Sequence, residues 1–546
     1  MNSTLKSLAS CVAVFAAVGL LAVGFQGRVG TSVERFGVVV VGAGPGGVAA
    51  AIQAASQGQK VALVESTGWI GGQMTAAGDG TMDEGNTRAR VSGVYADFVR
   101  RARAFYRTHG KSISTCYHSR NAICVDPAVG QQILKDMLAA RSGISVFLHA
   151  TVVRVEKTGS AVRAVGLSSG EQLDTTMVID ATDQGDVVAK AGAAYRVGTG
   201  TVGTDAPHPP AANACVRDLT YTAVIRKYPH GVPSDLRFTK APPGYSDAIR
   251  RAFGAFVQQN GFDLATKQQL PLNFAGHSAY RGLPDLTNPH NYNAVDNAGA
   301  DITRTDVNLA NDYPATVGYI EDPAIRTKTT CEAKLRTLQF IYYLQHDLGQ
   351  HQWSIANDEG WDKSYSSEDH CPLFKGFESF EKYFPVAPYT RESRRIVGVE
   401  TLTGGDIRRD RARGGAVARV FSDSVAVGYF PIDLGHHCAT EADLEPGLDS
   451  TADYAGHGSQ RPFEVPLGAL IPVRVNGLLA AEKNISVSRI AETAIREQPI
   501  AFAVGQAAGA LAAEAVRERV PARNVPATRV RNLLRTSHAI VDVPYR

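Results

Sequence analysis

Excess charge of one sign is nearly absent: 56 Lys plus Arg against 53 Asp plus Glu leave a formal +3 over 546 residues. A nucleic-acid binder concentrates a basic surplus, so no nucleic-acid partner is expected. Cysteine is scarce, with 7 residues and no Cys-x-x-Cys or zinc-finger spacing, which argues against a metal site of that kind; no metal is expected. There is no internal repeat and no low-complexity tract. What is present is 44% apolar residues and 53 glycines, a globular composition in a chain long enough for several domains.

One uncharged stretch lies between Lys6 and Arg28, with an apolar run at 8–25. A short basic start and small residues at Ala22 and Gly24 suit a secretory signal cut near Gly24. The run is also long enough for a tilted membrane helix, and a buried N-terminal helix is a third reading. No twin arginine precedes it, and most of the apolar stretch follows Cys11 instead of preceding it, unlike a lipoprotein acceptor. The chain is therefore expected to be secreted or periplasmic, or membrane-anchored through residues 1–27. Cys116, Cys124, Cys215, Cys331, Cys371 and Cys438 make an even set. Cys116 and Cys124 could bridge a short polar loop, but pairing is not readable, and buried free thiols are an equal alternative.

The strongest local signal begins at 36–41, FGVVVV, a continuous apolar run typical of a parallel strand covered on both faces. It enters GAGPGG at 42–47 and then a helix-forming VAAAIQAA. A second strand, KVALV at 60–64, ends in Glu65, 23 residues after Gly42. Gly42 permits a tight turn, Gly44 lets main chain approach a pyrophosphate, and Gly47 lets helix and sheet pack closely. Pro45 and Gly46 complete the helix start, whose free amides and dipole favour phosphate. Glu65 can accept both ribose hydroxyls. The motif alone does not separate NAD from FAD.

Two later features favour flavin. WIGGQMT at 69–75 places adjacent glycines where the chain can run beside a flat ligand, with Gly72, Gln73 and Thr75 as candidates. Short alternating strands at 152–156 and 162–168 form a β-meander before MVIDATDQGD at 177–186, which returns to the sheet and brings Asp-Ala-Thr beside the dinucleotide.

These blocks resemble the FAD-dependent oxidoreductases of the two-dinucleotide-binding-domain type, with a glutathione-reductase-like flavin domain. The resemblance continues in RESRRIVG at 391–398, TLT at 401–403, VGYFPID at 427–433, LLAAEKNIS at 478–486 and REQPIAFAVGQAAG at 496–509. It implies an α/β fold: a Rossmann-like FAD-binding domain with a β-meander, interrupted by a mixed α+β substrate or cap domain. The expected divisions are 36–192 and 386–518 for the flavin domain, 193–385 for the cap, and 519–546 for a C-terminal tail. Val153, Ala181, Thr182 and Asp186 join the expected cofactor contacts, as do Gln498 and Pro499 at the start of a helix. The resemblance points that helix's amino end at the flavin pyrimidine edge, where partial positive charge stabilises reduced flavin. Relatives usually carry glycine where this chain has Glu482, which puts a carboxylate near the ribityl chain or the pyrophosphate.

The middle of the chain is rich in Asn, Asp, Pro, His and Tyr, with helices expected near 243–260 and 323–348. Hydride transfer requires a group for the leaving proton and a means of holding the substrate. His436 and His437, just after Asp433, are the histidine candidates. Arg391, Arg394 and Arg395 are candidates for an anion clamp. The leading expectation is an FAD enzyme that oxidises a CH–OH or CH–NH bond of a small polar substrate and passes electrons to oxygen or a quinone-like acceptor. The alternatives are an isomerase, hydratase or lyase without net redox change, an aromatic hydroxylase, whose usual NADPH motifs are not evident, and a noncatalytic flavin-carrying partner.

Overall fold

The computed structural model describes residues 33–543 apart from 112, 114–122, 204–208, 261, 264–267, 270–281, 289–302, 309, 367–369, 408, 411–415, 418 and 434–461. The N-terminal segment 1–27 thus lies outside the described residues. A short strand β1 (Val33–Arg35) precedes β2 (Val38–Val41), four consecutive buried valines. β-Branched side chains on both faces suit a central strand of a parallel sheet. α1 (Pro45–Ser56) returns the chain to β3 (Val61–Val64), parallel to β2 with Val38 opposite Val61. α2 (Gly93–Thr108) and α3 (Pro127–Ala139) lead to β4 (Ile144–Phe147), parallel to β3. Proline opens α3, and the Asp126 side chain caps it by accepting the Ala128 N–H.

The antiparallel meander follows as β5 (Val152–Thr158), β6 (Ala161–Leu167) and β7 (Gln172–Asp174), with β1 added in parallel to β7. β8 (Val178–Asp180) then enters the main sheet beside β2, and α4 (Asp186–Lys190) follows. Nearly three hundred residues later β9 (Leu478–Ala480) pairs in parallel with β8. The sheet order is β9-β8-β2-β3-β4, all parallel. The turns after β2, β8 and β9 therefore meet at one end of the sheet.

Between α4 and β9 lies a mixed α+β region. Its described residues include a long helix α5 (Pro323–His346), a helix at Asp247–Asn260, and three-stranded and two-stranded antiparallel sheets, three of each. Tyr389–Thr390 and Arg395–Ile396 pair into two of those sheets, so strand pairing crosses the division expected at 385. A disulfide joins Cys331 on α5 to Cys371, and Cys124 and Cys215 are also disulfide-bonded. The free-thiol reading is thereby corrected for these four; Cys11, Cys116 and Cys438 lie outside the described residues.

α6 (Arg489–Ile495) is capped by Ser488, and after two intervening residues comes α7 (Gln498–Glu518), a helix whose small residues lie against α1. A Cβ on Gly505 would lie 2.0 Å from the Gly46 carbonyl oxygen, and one on Gly509 would lie 2.4 Å from that of Ala50. The two helices pack main chain to main chain. α7 is long and apolar enough to cross a membrane, but it is buried as a core helix. In the C-terminal segment α8 (Ala527–Thr536) buries Val530 and Leu534, and the following chain bonds to α2 through Gly93 N–H to His538 O.

Candidate functional site

The turn after β2 is shaped by close approach. Gly42 has φ +96°, and a Cβ there would sit 2.1 Å from the Ala181 carbonyl oxygen. A Cβ on Gly47 would fall 1.8 Å from the Gly42 oxygen. β-Carbons are thus excluded where the β2 and β8 turns touch. Asp180 fixes the second turn: its carboxylate accepts the Thr182 N–H at 2.9 Å, the Thr182 hydroxyl at 2.7 Å and the Val188 N–H at 2.7 Å. Burial pushes Asp180 up to about 6, against those hydrogen bonds.

α1 opens with Gly44 as N-cap and Pro45 in its first turn, so the amides that follow have no partner within the helix. Gly46 N–H donates to Glu482 Oε1 at 2.7 Å. A carboxylate therefore occupies the anion seat at this helix end. The Gly71–Gly72 turn lies on the same loop: Gly71 N–H donates to Ala43 O at 2.7 Å, and a Cβ on Gly72 would be 2.9 Å from the Gly44 Cα. Glu65 closes the far side. Its Oε2 accepts the Ala43 N–H at 2.8 Å, and its Oε1 accepts the Thr67 N–H at 2.8 Å and hydroxyl at 2.9 Å. Burial raises the Glu65 pKa against these bonds. The structure thus brings together Gly42, Gly44, Pro45, Gly46, Gly47, Glu65, Gly72, Ala181, Thr182 and Glu482.

Other candidates are placed differently. Val153 is 50% exposed on β5, so its side chain turns to solvent away from this loop cluster. Thr75 Oγ1 donates to Ile70 O at 2.7 Å and serves the turn. Gln498 spends its side chain on the main chain of the neighbouring strand, donating to Thr81 O at 3.1 Å and accepting the Asp83 N–H at 3.1 Å. Pro499 is buried in the first turn of α7. Asp186 is held in ion pairs with Arg394 (2.6 Å) and Arg326 (3.1 Å), which outweigh burial and keep its pKa below the usual range.

Two of the clamp expectations need correction. Arg394 is saturated: it pairs with Asp186 and with Glu321 at 2.9 Å and donates to the Ile320 and Gln184 carbonyls. Its guanidinium has no edge left for a ligand. Arg391 is buried and donates to Asp218 O, Thr220 Oγ1, Asn308 Oδ1 and Asp312 Oδ1, while stacking 4.8 Å over the Tyr389 ring. It braces the cap. Long side chains in buried surroundings find partners, and these partners come from elements far away in sequence. His436 and His437 lie outside the described residues.

At the amino end of α7 is a buried group that sequence reasoning did not single out. Arg496 donates to the Tyr389 hydroxyl and pairs with Asp433 Oδ2 at 2.9 Å and Glu497 Oε1 at 3.0 Å. Glu497 is the N-cap of α7, and burial together with the Asp83, Asp433 and Asp79 charges raises its pKa against Arg496. Gln73 Nε2 donates to Arg496 O at 3.0 Å, leaving the buried Gln73 Oε1 without a partner. The available signal was a charged dipeptide placed directly before an apolar helix.

Beside it lies a second ionic group. Arg489 pairs with Glu392 at 3.1 Å, and Arg395 pairs with Glu492 at 3.4 Å and with Glu392 at 3.7 Å. Arg217, 2% exposed, joins them with all three guanidinium nitrogens unpartnered. Among the described residues, three buried guanidinium groups thus lie around the Glu392 and Glu492 carboxyls. Burial pushes Glu492 up to about 8, against the Arg395 charge. An unpaired buried charge is costly and suits a site that takes an anion. The strand is buried on both faces from Val216 to Thr220, so Arg217 and Asp218 are both enclosed, and nothing in the local pattern marks Arg217 out.

The sequence matches the family described as "FAD dependent oxidoreductase" over residues 37–534. All-trans-zeta-carotene desaturase of Myxococcus xanthus is 43% identical over 70 residues, 12% of this chain and 13% of that protein. Among solved structures, L-proline dehydrogenase from P. horikoshii matches with a TM-score of 0.25 and 14% identity, over 36% of this chain and 62% of that one. L-amino acid deaminase from Proteus vulgaris matches with a TM-score of 0.24 and 15% identity, over 38% of this chain and 56% of that one. The chain thus spans less than two thirds of each of these proteins.

Proposed function

The chain belongs to the FAD dependent oxidoreductase family, and on that premise we propose that it oxidises a CH–OH or CH–NH bond of a small polar substrate by hydride transfer to N5 of bound FAD, with oxygen or a quinone-like carrier as final acceptor. The cofactor is FAD, and the residues present fit it. A carboxylate already stands in for an anion on the Gly46 amide, and a Cβ on Gly46 would lie 1.9 Å from the main-chain oxygen of Ala481, so no side chain fits there. In this reading the α1 amides hold the diphosphate, Glu65 holds ribose hydroxyls, and the Gln73 Oε1 acceptor faces a ligand N–H.

The observation that carries the reading is the buried Arg496, Glu497, Asp433 and Tyr389 group at the amino end of α7, beside Gln73. It offers carboxyl groups to hold a proton and an arginine to keep them ordered. His436 and His437 remain proposed proton acceptors. Arg217, in place of Arg394, is the proposed partner of a negatively charged substrate group. Anaerobic mixing with amines, hydroxy acids and sugars tests this: an anionic member of the set should bleach the flavin, and air should restore it with oxygen uptake. Product formed without flavin bleaching or acceptor turnover would favour the reaction without net redox change. We also propose an exported or membrane-anchored location; the Cys331–Cys371 disulfide suits an oxidising compartment.

A further inference from the structure

Glu482 follows β9 and reaches across to the opening of α1. Its Oε1 accepts the Gly46 N–H at 2.7 Å and would lie 2.7 Å from a Cβ on Gly44. Its main chain is tied down, with its N–H donating to Asn484 Oδ1 at 3.0 Å. The seat that a diphosphate needs thus already holds an internal carboxylate.

The surroundings leave that carboxylate poorly compensated. Lys483 is the adjacent cation, but it pairs with Asp183 Oδ1 at 2.5 Å. The Asp183 charge also acts on Glu482 and opposes its ionisation, and Lys483 is shared further with Glu492. A diphosphate stays ionised throughout the working pH range, so it and an ionised Glu482 compete for the same amide edge.

We propose that Glu482 is a built-in competitor for the diphosphate seat, releasing it by taking up one proton, so that the protein holds FAD more tightly as pH falls. The neutral acid frees the Gly46 N–H and can donate its own O–H to a phosphate oxygen. One proton is bound for each FAD bound, and it leaves when FAD leaves. Burial pushes Glu482 up to about 7, against Lys483, so the exchange falls near neutrality. The inference rests on FAD as the cofactor.

The test uses full-length holoenzyme equilibrated at a series of pH values from about 5.5 to 8.5, with free FAD read in the filtrate. The dissociation constant should rise about tenfold per pH unit above the Glu482 titration and level off below it. E482Q should bind with no such slope, at least as tightly as the wild type at low pH. The wild type alone supplies a second readout: near pH 8, about one proton should appear in solution for each FAD released. A flat wild-type profile without proton release, or the same slope in E482Q, would overturn the proposal. So would an E482Q that binds FAD more weakly at every pH, since Glu482 would then be a ligand of the ribityl chain. A protein that takes up no FAD at any pH would overturn the cofactor assignment, and the proposal with it.

Discussion

Replacing Gly505 by alanine sets two effects of opposite sign against each other. Glycine within a helix costs about 1 kcal/mol relative to alanine, so propensity favours the substitution. Packing opposes it. The new methyl would lie 2.0 Å from the Gly46 oxygen and 2.4 Å from the Gly46 Cα. Both neighbours are main chain, so no side chain can rotate away, and α7 must part from α1 by roughly 1 Å. Overpacking of this kind costs about 1–3 kcal/mol, and rigid neighbours put the cost at the upper end. We expect G505A to be destabilised by about 1–2 kcal/mol net. Gly46 also carries the amide of the anion seat, so the displacement should reach the cofactor and lower FAD content per chain. The matched control is Gly254, in the helix Asp247–Asn260, where among the described residues a Cβ would meet the Tyr343 hydroxyl at an ordinary 3.4 Å and nothing nearer. There propensity should win, and G254A should be more stable by up to about 1 kcal/mol. Thermal unfolding and flavin absorbance on both variants decide the matter. A G505A protein as stable and as yellow as the wild type would refute the main-chain contact as the element that positions the seat.

Three further outcomes follow from the site. R217M removes the buried guanidinium that makes no hydrogen bond and leaves the Arg395–Glu492 and Arg489–Glu392 pairs in place, so stability to urea should hold or rise, while KM for an anionic substrate rises about 10- to 100-fold and FAD content stays unchanged; an unaltered preference for anionic over neutral substrates would remove Arg217 from recognition. H436A should retain flavin but slow its reduction by roughly two to four decades in stopped flow, and unchanged reduction would take His436 out of the mechanism. Glu492 is raised from 4.5 to about 8 in the fold, so its contribution to stability is complete below about pH 4.5 and is lost as pH rises towards 8. The denaturation midpoint should therefore fall over that window, and E492Q should show a shallower fall; equal slopes would show that other groups set it.

The nucleotide entrance could be read from sequence because its information is local. Strand, glycine turn, helix, strand and acid lie within residues 36–65, and each constraint acts between neighbours: Gly47 must clear Gly42, and Glu65 closes on Ala43. The meander and its return at β8 were legible for the same reason. Arginine roles were not. Arg394 is a saturated brace because Glu321 and Asp186 reach it from distant segments, whereas Arg217, unremarkable in its strand, is surrounded by Glu392, Arg489, Glu492 and Arg496 from the returning part of the chain and makes no side-chain hydrogen bond among them. Glu482 falls between the two cases. As a departure from glycine it was visible in one line of sequence, but its consequence depends on direction. A side chain turned away from α1 would leave the seat open. This one crosses 436 positions of chain to bond Gly46. A motif therefore reports where a ligand's diphosphate can sit, and only the packing of the returning strand reports whether the chain already keeps a charge there.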